Sequence, residues 1–284
     1  MAIVRFLSHA SVVSVLTLLV AALSLSCGGG DAVPATPAAT FTTLTAGDAP
    51  KAIMGEIRVF AASSLTDAFS AAGKRFNETN PGAQLVFNFG SSSALATQIN
   101  EGAQADLFAA ASPAQMLSIG RNAREPRTFA TNRLAIALSP ASRLQSYRDL
   151  ASPNLKLVLA AKDVPAGQYA RESLQKASAP TAYGADFQQK VLANLKSEEV
   201  NVRAALAKVQ LGEADAAIVY TTDIAPNTGI RRIEIPLDLN IVAEYPLSVL
   251  SGAKNSAGAT AFATFMLSSD GEAVLKRFGF GPAR

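Results

Sequence analysis

Runs typical of buried strands alternate with amphipathic helices from residue 56 onward, and this alternation constrains the fold more than any other feature. Three such runs are rich in β-branched, aromatic and small apolar residues: EIRVFAA (56–62), QLVFNF (84–89) and ADLFAAAS (105–112). Between the first two, apolar residues from Leu65 to Phe76 recur at spacings of four, three and four, which predicts a helix. Strands alternating with helices predict βαβ units and a parallel sheet.

The alternation pauses and then restarts, which predicts two lobes. A fourth strand, NRLAIALSP (132–140), ends at a proline, and helices are expected from about Gln168 and about Asn201. Further predicted strands are LKLVLAA (155–161), ADAAIVY (214–220) and IVAEYPLSVL (241–250), and the helices ATAFATFMLSS and DGEAVLKRFGF end the chain. We therefore expect the chain to cross between lobes near 134–140 and to return near 238–245.

Residues 1–27 have the pattern of an export signal. Arg5 is followed by a short apolar stretch and then by the only cysteine, Cys27. The alternative is a membrane anchor helix that stays on the chain, although the stretch is short for a span. Residues 28–55 are rich in Gly, Ala, Pro and Thr, which indicates a flexible tether.

The segment LSLSC (23–27) resembles a lipoprotein processing box, except that Ser24 stands where such boxes have an aliphatic residue. Lipidation would make Cys27 the mature N-terminus and anchor the protein to the membrane. Ordinary cleavage, which would release a soluble periplasmic protein, is the alternative.

Several function classes are excluded by residues the chain lacks. The sole histidine, His9, lies inside the signal, so the mature chain cannot form a Ser-His-Asp or Cys-His catalytic group or an imidazole metal site. Neither GxxxxGK[ST] nor GxGxxG occurs at a strand-to-helix junction, which argues against nucleotide and dinucleotide binding. A formal charge of only +3 gives no basic surface for nucleic acid.

Serines stand at two strand-to-helix junctions, Ser63-Ser64 and Ser91-Ser92-Ser93. The first N–H groups of a helix lack intrahelical partners and attract anions, and a serine adds a hydroxyl donor. N-capping is the alternative for either junction alone. Parallel strands bring both junctions to one sheet edge, where α/β ligands bind, so together they favour an anion site.

The second predicted lobe has matching features. Small residues at 165–167 precede one helix, another begins near Asn201-Val202, and Tyr220 ends a strand. The alternatives are a plain turn at 165–167 and a packed strand-end ring for Tyr220.

At these residues the sequence resembles the molybdate-binding proteins of ABC importers, which have the type II periplasmic binding protein fold. The matching segments occur in family order and span most of 56–284: VFAASSLTDAF (59–69), FGSSSALATQINEGAQADLFAAAS (89–112), VPAGQYARESL (164–174), NVRAALAKVQLGEADAAIVYTTD (201–223) and EYPLSVL (244–250). The resemblance implies an α/β fold of two lobes, each a mainly parallel sheet flanked by helices, joined by two crossing strands. It places lobe 1 at 56–137 and 242–284, and lobe 2 at 138–241.

Carried over position by position, the resemblance implies five molybdate-binding residues. Ser64 and Ser92 would donate from hydroxyls and amides, Ala166 and Val202 from amides, and Tyr220 from its hydroxyl. Three neighbours are secondary candidates: Ser63, where the family commonly has alanine, Ser91, and Asn201, which replaces an acidic residue. The metal is bound as the oxyanion, so no direct metal ligand and no cofactor is expected.

The resulting prediction is an exported, non-enzymatic, monomeric binding protein in the periplasm or at the outer face of the membrane. It captures molybdate, and tungstate as well, and delivers it to the membrane permease of an ABC importer. The alternatives are a binding protein for another tetrahedral oxyanion, such as sulfate or thiosulfate, and a secreted serine hydrolase using Ser64 or Ser92.

Overall fold

Nine strands and eight α-helices alternate along residues 52–224 and 229–283, the part of the chain described by the computed structural model. The strands are β1 (Gly55–Ala62), β2 (Ala83–Gly90), β3 (Leu107–Ala109), β4 (Ala123–Leu138), β5 (Leu157–Ala160), β6 (Leu195–Glu199), β7 (Ala216–Tyr220), β8 (Arg231–Glu234) and β9 (Val242–Leu250). The helices are α1 (Thr66–Thr79), α2 (Ser92–Asn100), α3 (Pro113–Ser118), α4 (Pro165–Ala177), α5 (Phe187–Ala193), α6 (Val202–Gln210), α7 (Ser256–Met266) and α8 (Ser269–Arg277).

The predicted signal peptide, Cys27 and the tether up to residue 51 lie outside the described residues. Within the described part, no helix combines the length and the apolar character that a membrane crossing requires.

The strands form a mixed sheet in the order β2-β1-β3-β9-β4-β7-β5-β6, with β8 also paired to β4. We call β2, β1, β3 and β9 the first half-sheet, and β7, β5, β6 and β8 the second half-sheet. Pairing is parallel among β2, β1 and β3 and among β7, β5 and β6, as βαβ units require. Every antiparallel pair involves β4 or β9: these pairs are β3–β9, β4–β9, β4–β7 and β4–β8.

Strand β4 joins the two half-sheets. Its residues up to Arg133 pair with β9, and from Leu134 onward it pairs with β7. The chain returns after β8 and enters β9 at Val242. The α/β architecture with two crossing strands is therefore confirmed, and the crossing at Arg133–Leu134 lies at the edge of the predicted interval. The lobe boundaries stay a prediction.

The helix α5 and the strands β6 and β8 were not predicted from the sequence. The strands β6 (LKSEE) and β8 (RRIE) are mostly polar, and both lie at edges, where only one side needs a partner strand. Strand β4 also begins nine residues before the predicted start at Asn132. Its first part carries Pro126 within an irregularity of register, a position that tolerates a missing N–H.

Two helices begin earlier than expected. Helix α2, expected as ALATQINEG directly after the serine run, starts inside that run at Ser92, and α4 starts at Pro165 rather than near Gln168. Proline suits the first helical position because its N–H would have no intrahelical partner there. Two residues later, a Cβ on Gly167 would overlap the carbonyl oxygens of Ala160 and Ala161 at the end of β5. Glycine thus lets the first turn of α4 lie directly against the strand.

We predict that Gly167→Ala lowers the free energy of unfolding by roughly 1–3 kcal/mol, because an overpacked contact must push α4 away from β5. The matched control is Gly252→Ala, where a Cβ meets no atom within 4 Å. Urea denaturation of both variants measures the difference. Equal stability of the two variants would show that α4 adjusts without cost.

Candidate functional site

A small cavity lies where strand ends of the two half-sheets face each other. The volume open to the centre of a water molecule is about 10 Å³, which is roughly enough for one water molecule. It is lined by residues at the ends of β1, β2 and β7 or in the segments that follow β1, β2, β3, β5 and β6: Ala62, Ser63, Ser64, Gly90, Ser91, Ser92, Ala111, Val164, Pro165, Ala166, Val202 and Tyr220. The cavity therefore suits one small, compact species rather than an extended organic molecule.

All five predicted site residues line this cavity. Ser64 lies in a short 3-10 helix, Ser63–Leu65, directly after β1, and its Oγ is 2.9 Å from the hydroxyl of Tyr245. Ser92 is the first residue of α2, and its Oγ accepts the N–H of Ala111 at 2.9 Å. Because that bond occupies the oxygen as an acceptor, the Ser92 hydroxyl hydrogen remains available for a ligand.

The second half-sheet contributes backbone donors. Ala166 is the second residue of α4, and Val202 is the first residue of α6. Both are almost completely buried, and both lie in a first helical turn, whose N–H groups have no intrahelical acceptor. The helix dipoles add partial positive charge at the same points. Helix starts from both half-sheets thus surround one cavity with donors.

The three secondary candidates divide into two kinds. Ser91 and Asn201 are N-caps: the Ser91 hydroxyl accepts the N–H of Ala94 at 3.2 Å, and the Asn201 side chain accepts that of Ala204 at 3.0 Å. Ser91 and Ser63 also line the cavity, whereas Asn201 does not. N-capping therefore accounts for the hydrogen bonds of Ser91 and Asn201. It does not account for Ser92, whose hydroxyl bonds to Ala111 instead.

Tyr220, the last residue of β7, supplies the clearest sign of a ligand. Its hydroxyl is buried, and it makes no hydrogen bond of normal distance and angle with the described residues, although the Tyr245 hydroxyl lies near enough to influence it. An unpaired buried hydroxyl costs about 1–3 kcal/mol, so it calls for an acceptor in the cavity. Burial, reinforced by Tyr245, raises the pKa of Tyr220 well above its ordinary value, which keeps the hydroxyl protonated as a donor.

No charged side chain lines the cavity among the described residues. Two charged residues lie close along the chain to site residues: Arg203 follows Val202, and Asp223 follows Tyr220 by three positions. The Arg203 guanidinium contacts Asp67 of α1 at 2.6 Å and Asp223 at 2.9 Å, so it ties α6 to the first half-sheet. Burial opposes its charge, but the two carboxylates outweigh burial and raise the pKa of Arg203.

Asp223 is the fully buried carboxylate that pairs with Arg203. Burial raises the pKa of its carboxyl to about 6, against the opposing effects of Arg203 and of the Tyr220 N–H, which donates to Asp223 at 3.1 Å. The sequence analysis did not single out Arg203, Asp223 or Asp67. Only their proximity to Val202, Tyr220 and Ser64 along the chain could have pointed to them. Within the described residues, no cluster of three or more His, Cys, Asp or Glu could hold a metal cation.

Two half-sheets joined by crossing strands, with helix starts of both facing one small cavity, define the type II periplasmic binding protein fold. The sequence matches the family described as "Bacterial extracellular solute-binding protein" over residues 57–281. The chain therefore belongs to this family.

Similar proteins agree with the resemblance seen in the sequence motifs. The chain is 35% identical to the molybdate-binding protein ModA of Mycobacterium tuberculosis over 79% of its own length and 84% of that protein. The periplasmic molybdate-binding protein of Azotobacter vinelandii superposes with a TM-score of 0.70 at 18% identity, covering 80% of this chain and 100% of that one. The sulfate-binding protein SubI of M. tuberculosis gives the same TM-score and identity, covering 80% and 86%. The sequence similarity confirms the family resemblance, and the two structures support the fold alone.

We predict that the stability of the protein depends on Asp223 between about pH 4 and pH 6. A carboxyl whose pKa is higher in the folded state favours folding when protonated, so its contribution is lost as the pH rises from about 4 through about 6. Asp223→Asn removes this titration and should gain up to roughly 3 kcal/mol over the unmodified protein between pH 4 and pH 7.

Urea denaturation of both proteins at four pH values measures this gain, because other titrating groups are common to both and cancel. Two curves that run parallel across the range would contradict the raised pKa of Asp223.

Proposed function

We propose that this chain binds molybdate, and also tungstate, in the cavity between the half-sheets. The observation that carries the proposal is the buried Tyr220 hydroxyl, which makes no hydrogen bond of normal geometry with the described residues and lines a cavity together with serine hydroxyls and first-turn amides. A fully deprotonated tetrahedral oxyanion is acceptor-only, so it matches the donors around the cavity. The cavity has room for about one water molecule, so the half-sheets would have to move apart slightly to admit the anion. The name of the relative from M. tuberculosis supplies the identity of the anion.

Binding replaces the water shell of the anion with fixed donors. The amides of Ala166 and Val202 and the hydroxyls of Ser64, Ser92 and Tyr220 converge from both half-sheets. Fixed dipoles of this kind stabilise a dianion without a formal counter-charge. Such a site leaves release feasible, since no ion pair must be broken. The two half-sheets would close around the anion by rotation about the strands that join them.

Discrimination between oxyanions follows from cavity size, because molybdate, tungstate and sulfate all accept the same hydrogen bonds. Sulfate is the second candidate ligand, because the sulfate-binding and molybdate-binding structures are equally similar to this chain, support the fold alone and do not choose between the two anions. A serine hydrolase is a weaker alternative, since no described side chain lining the cavity is a general base for Ser64 or Ser92.

The proposal includes export and delivery. The family is described as extracellular, and the N-terminal segment has the pattern of a lipoprotein signal ending at Cys27. We infer that Cys27 is acylated and that the predicted tether, shortened to residues 28–54 because Gly55 begins β1, holds the binding unit near the permease of an ABC importer. The protein would act as a monomer.

A thermal-shift series with molybdate, tungstate, sulfate and phosphate on residues 52–284 tests the ligand. We expect molybdate and tungstate to stabilise the protein most, because ligand at a hundred times its dissociation constant adds about 2.7 kcal/mol. Tight sulfate binding without molybdate binding would refute the proposal, and ester or phosphate turnover would favour the hydrolase.

Tyr220→Phe should separate binding from folding. Removing a buried hydroxyl that lacks a partner is expected to leave the ligand-free protein equally or more stable. Molybdate binding should weaken by roughly ten- to a hundredfold, because a hydrogen bond to a charged ligand contributes about 1.5–3 kcal/mol. Calorimetry and urea denaturation measure the two effects.

Ser92→Ala is the contrasting variant. It should weaken molybdate binding and also destabilise the ligand-free protein by about 1–3 kcal/mol, because the buried N–H of Ala111 loses its acceptor. If Tyr220→Phe binds molybdate as tightly as the unmodified protein, the tyrosine hydroxyl does not contact the ligand.

A further inference from the structure

The segment EYPLSVL (244–250) belongs to the family resemblance, yet it contributes no residue to the cavity lining. It forms most of β9, and its Tyr245 is completely buried. The Tyr245 hydroxyl is 2.9 Å from Oγ of Ser64, so it contacts a cavity-lining donor from behind. A role for this tyrosine must therefore be exerted through Ser64.

The hydrogen bonds of Asn132 fix the orientation of its side-chain amide. Its Oδ1 accepts the backbone N–H of Arg133 at 2.9 Å and the hydroxyl of Thr221 at 3.0 Å. A backbone N–H can only donate, so the oxygen must lie on that side and the Nδ2 group on the other. Nδ2 then donates to Thr222 at 2.8 Å and to the Tyr245 hydroxyl at 3.4 Å.

This orientation determines the direction of the next hydrogen bond. Because Asn132 donates to the Tyr245 oxygen, the Tyr245 hydrogen is free to donate onward, and Oγ of Ser64 is the acceptor that the described residues offer it. The reverse direction, with Ser64 donating, would leave the buried tyrosine hydrogen unpaired, which is unfavourable. Burial raises the pKa of Tyr245, so the hydrogen is retained.

A serine hydroxyl that accepts from Tyr245 has its own hydrogen left for the cavity. Had Ser64 donated to Tyr245 instead, it would present lone pairs to the ligand, and an anion would be repelled. Ser92, which follows the neighbouring strand β2, has the same arrangement, because its oxygen accepts the N–H of Ala111. Both serines are thus held as donors before the anion arrives.

We propose that Tyr245 is a positioning residue for anion binding: with Asn132 it forms a hydrogen-bond chain that holds the Ser64 hydroxyl as a donor into the cavity. This proposal rests on the proposed function, since it assumes that the ligand is an oxyanion. These hydrogen bonds run from β4, at the point where the strand crosses between the half-sheets, through β9 to the 3-10 helix that follows β1. It therefore connects the crossing strands to the site.

Tyr245→Phe tests the proposal because it removes only the hydroxyl. The ring packs edge-on against Phe129, Tyr220 and Phe280 with centroid distances of 5.4–6.4 Å, and phenylalanine keeps those contacts. The matched control is Tyr147→Phe. Tyr147 is also buried, and its hydroxyl lies 2.8 Å from Oγ of buried Ser173, but neither residue lines the cavity.

The experiment is a double-mutant cycle of Tyr245→Phe and Ser64→Ala, with sodium molybdate binding followed by calorimetry and ligand-free stability by urea denaturation. We expect Tyr245→Phe to weaken molybdate binding about tenfold, as expected for a lost hydrogen bond. In the Ser64→Ala background, the same change should alter binding by less than about twofold, because the serine through which it acts is gone. Tyr147→Phe should lose stability comparably and leave binding unchanged.

Unchanged molybdate binding by Tyr245→Phe would overturn the proposal, and so would a tenfold loss that persists in the Ser64→Ala background. Failure of the proposed function has a different signature: the unmodified protein then shows no molybdate binding. If it binds sulfate instead, the same cycle run with sodium sulfate still decides the role of Tyr245.

Discussion

The first turn of an α-helix presents backbone N–H groups that its own carbonyl groups cannot reach. In this protein the first turns of α2, α4 and α6 and the 3-10 helix after β1 begin at one cavity. Their unpaired donors would be costly if they were buried without an acceptor. An acceptor-rich species in the cavity would satisfy them, and it would also satisfy the Tyr220 hydroxyl, which makes no hydrogen bond of normal geometry with the described residues.

This arrangement separates donors from charges. The cavity lining is neutral, while Arg203, Asp67 and Asp223 form a charged group behind it that joins α6, α1 and the end of β7. Both carboxylates form ion pairs with the guanidinium, so the positive charge is not presented to a ligand as a free counter-ion. Burial makes this group sensitive to pH through Asp223, although the donors themselves do not titrate near neutrality.

The sequence predicted the parts of the fold that are strongly patterned. Strand β7 is apolar and fully buried, and β1 and β2 combine exposed residues with buried or half-buried apolar ones. The predicted bounds of all three differ from the described ones by no more than two residues. Strands β6 and β8 were missed because their polar residues suit an edge, where strand pairing is decided by neighbours distant in the chain. The start of α4 was placed late because Pro165 and Gly167 usually interrupt helices. Here Pro165 occupies the first helical position, and Gly167 allows close contact with β5.

By itself, the sequence determined the alternation of strands and helices, the serines at two helix starts and the family to which the chain belongs. Those features are local or are carried by motifs, so they are visible without a structure. Only the tertiary structure decided that the donors of both half-sheets line one cavity, that Ser91 caps a helix while Ser92 retains a free hydrogen, and that Tyr245 lies behind Ser64. Each of these depends on atoms brought together from segments as much as 181 residues apart, and the direction of a hydrogen bond is fixed only when both partners and their other contacts are in place.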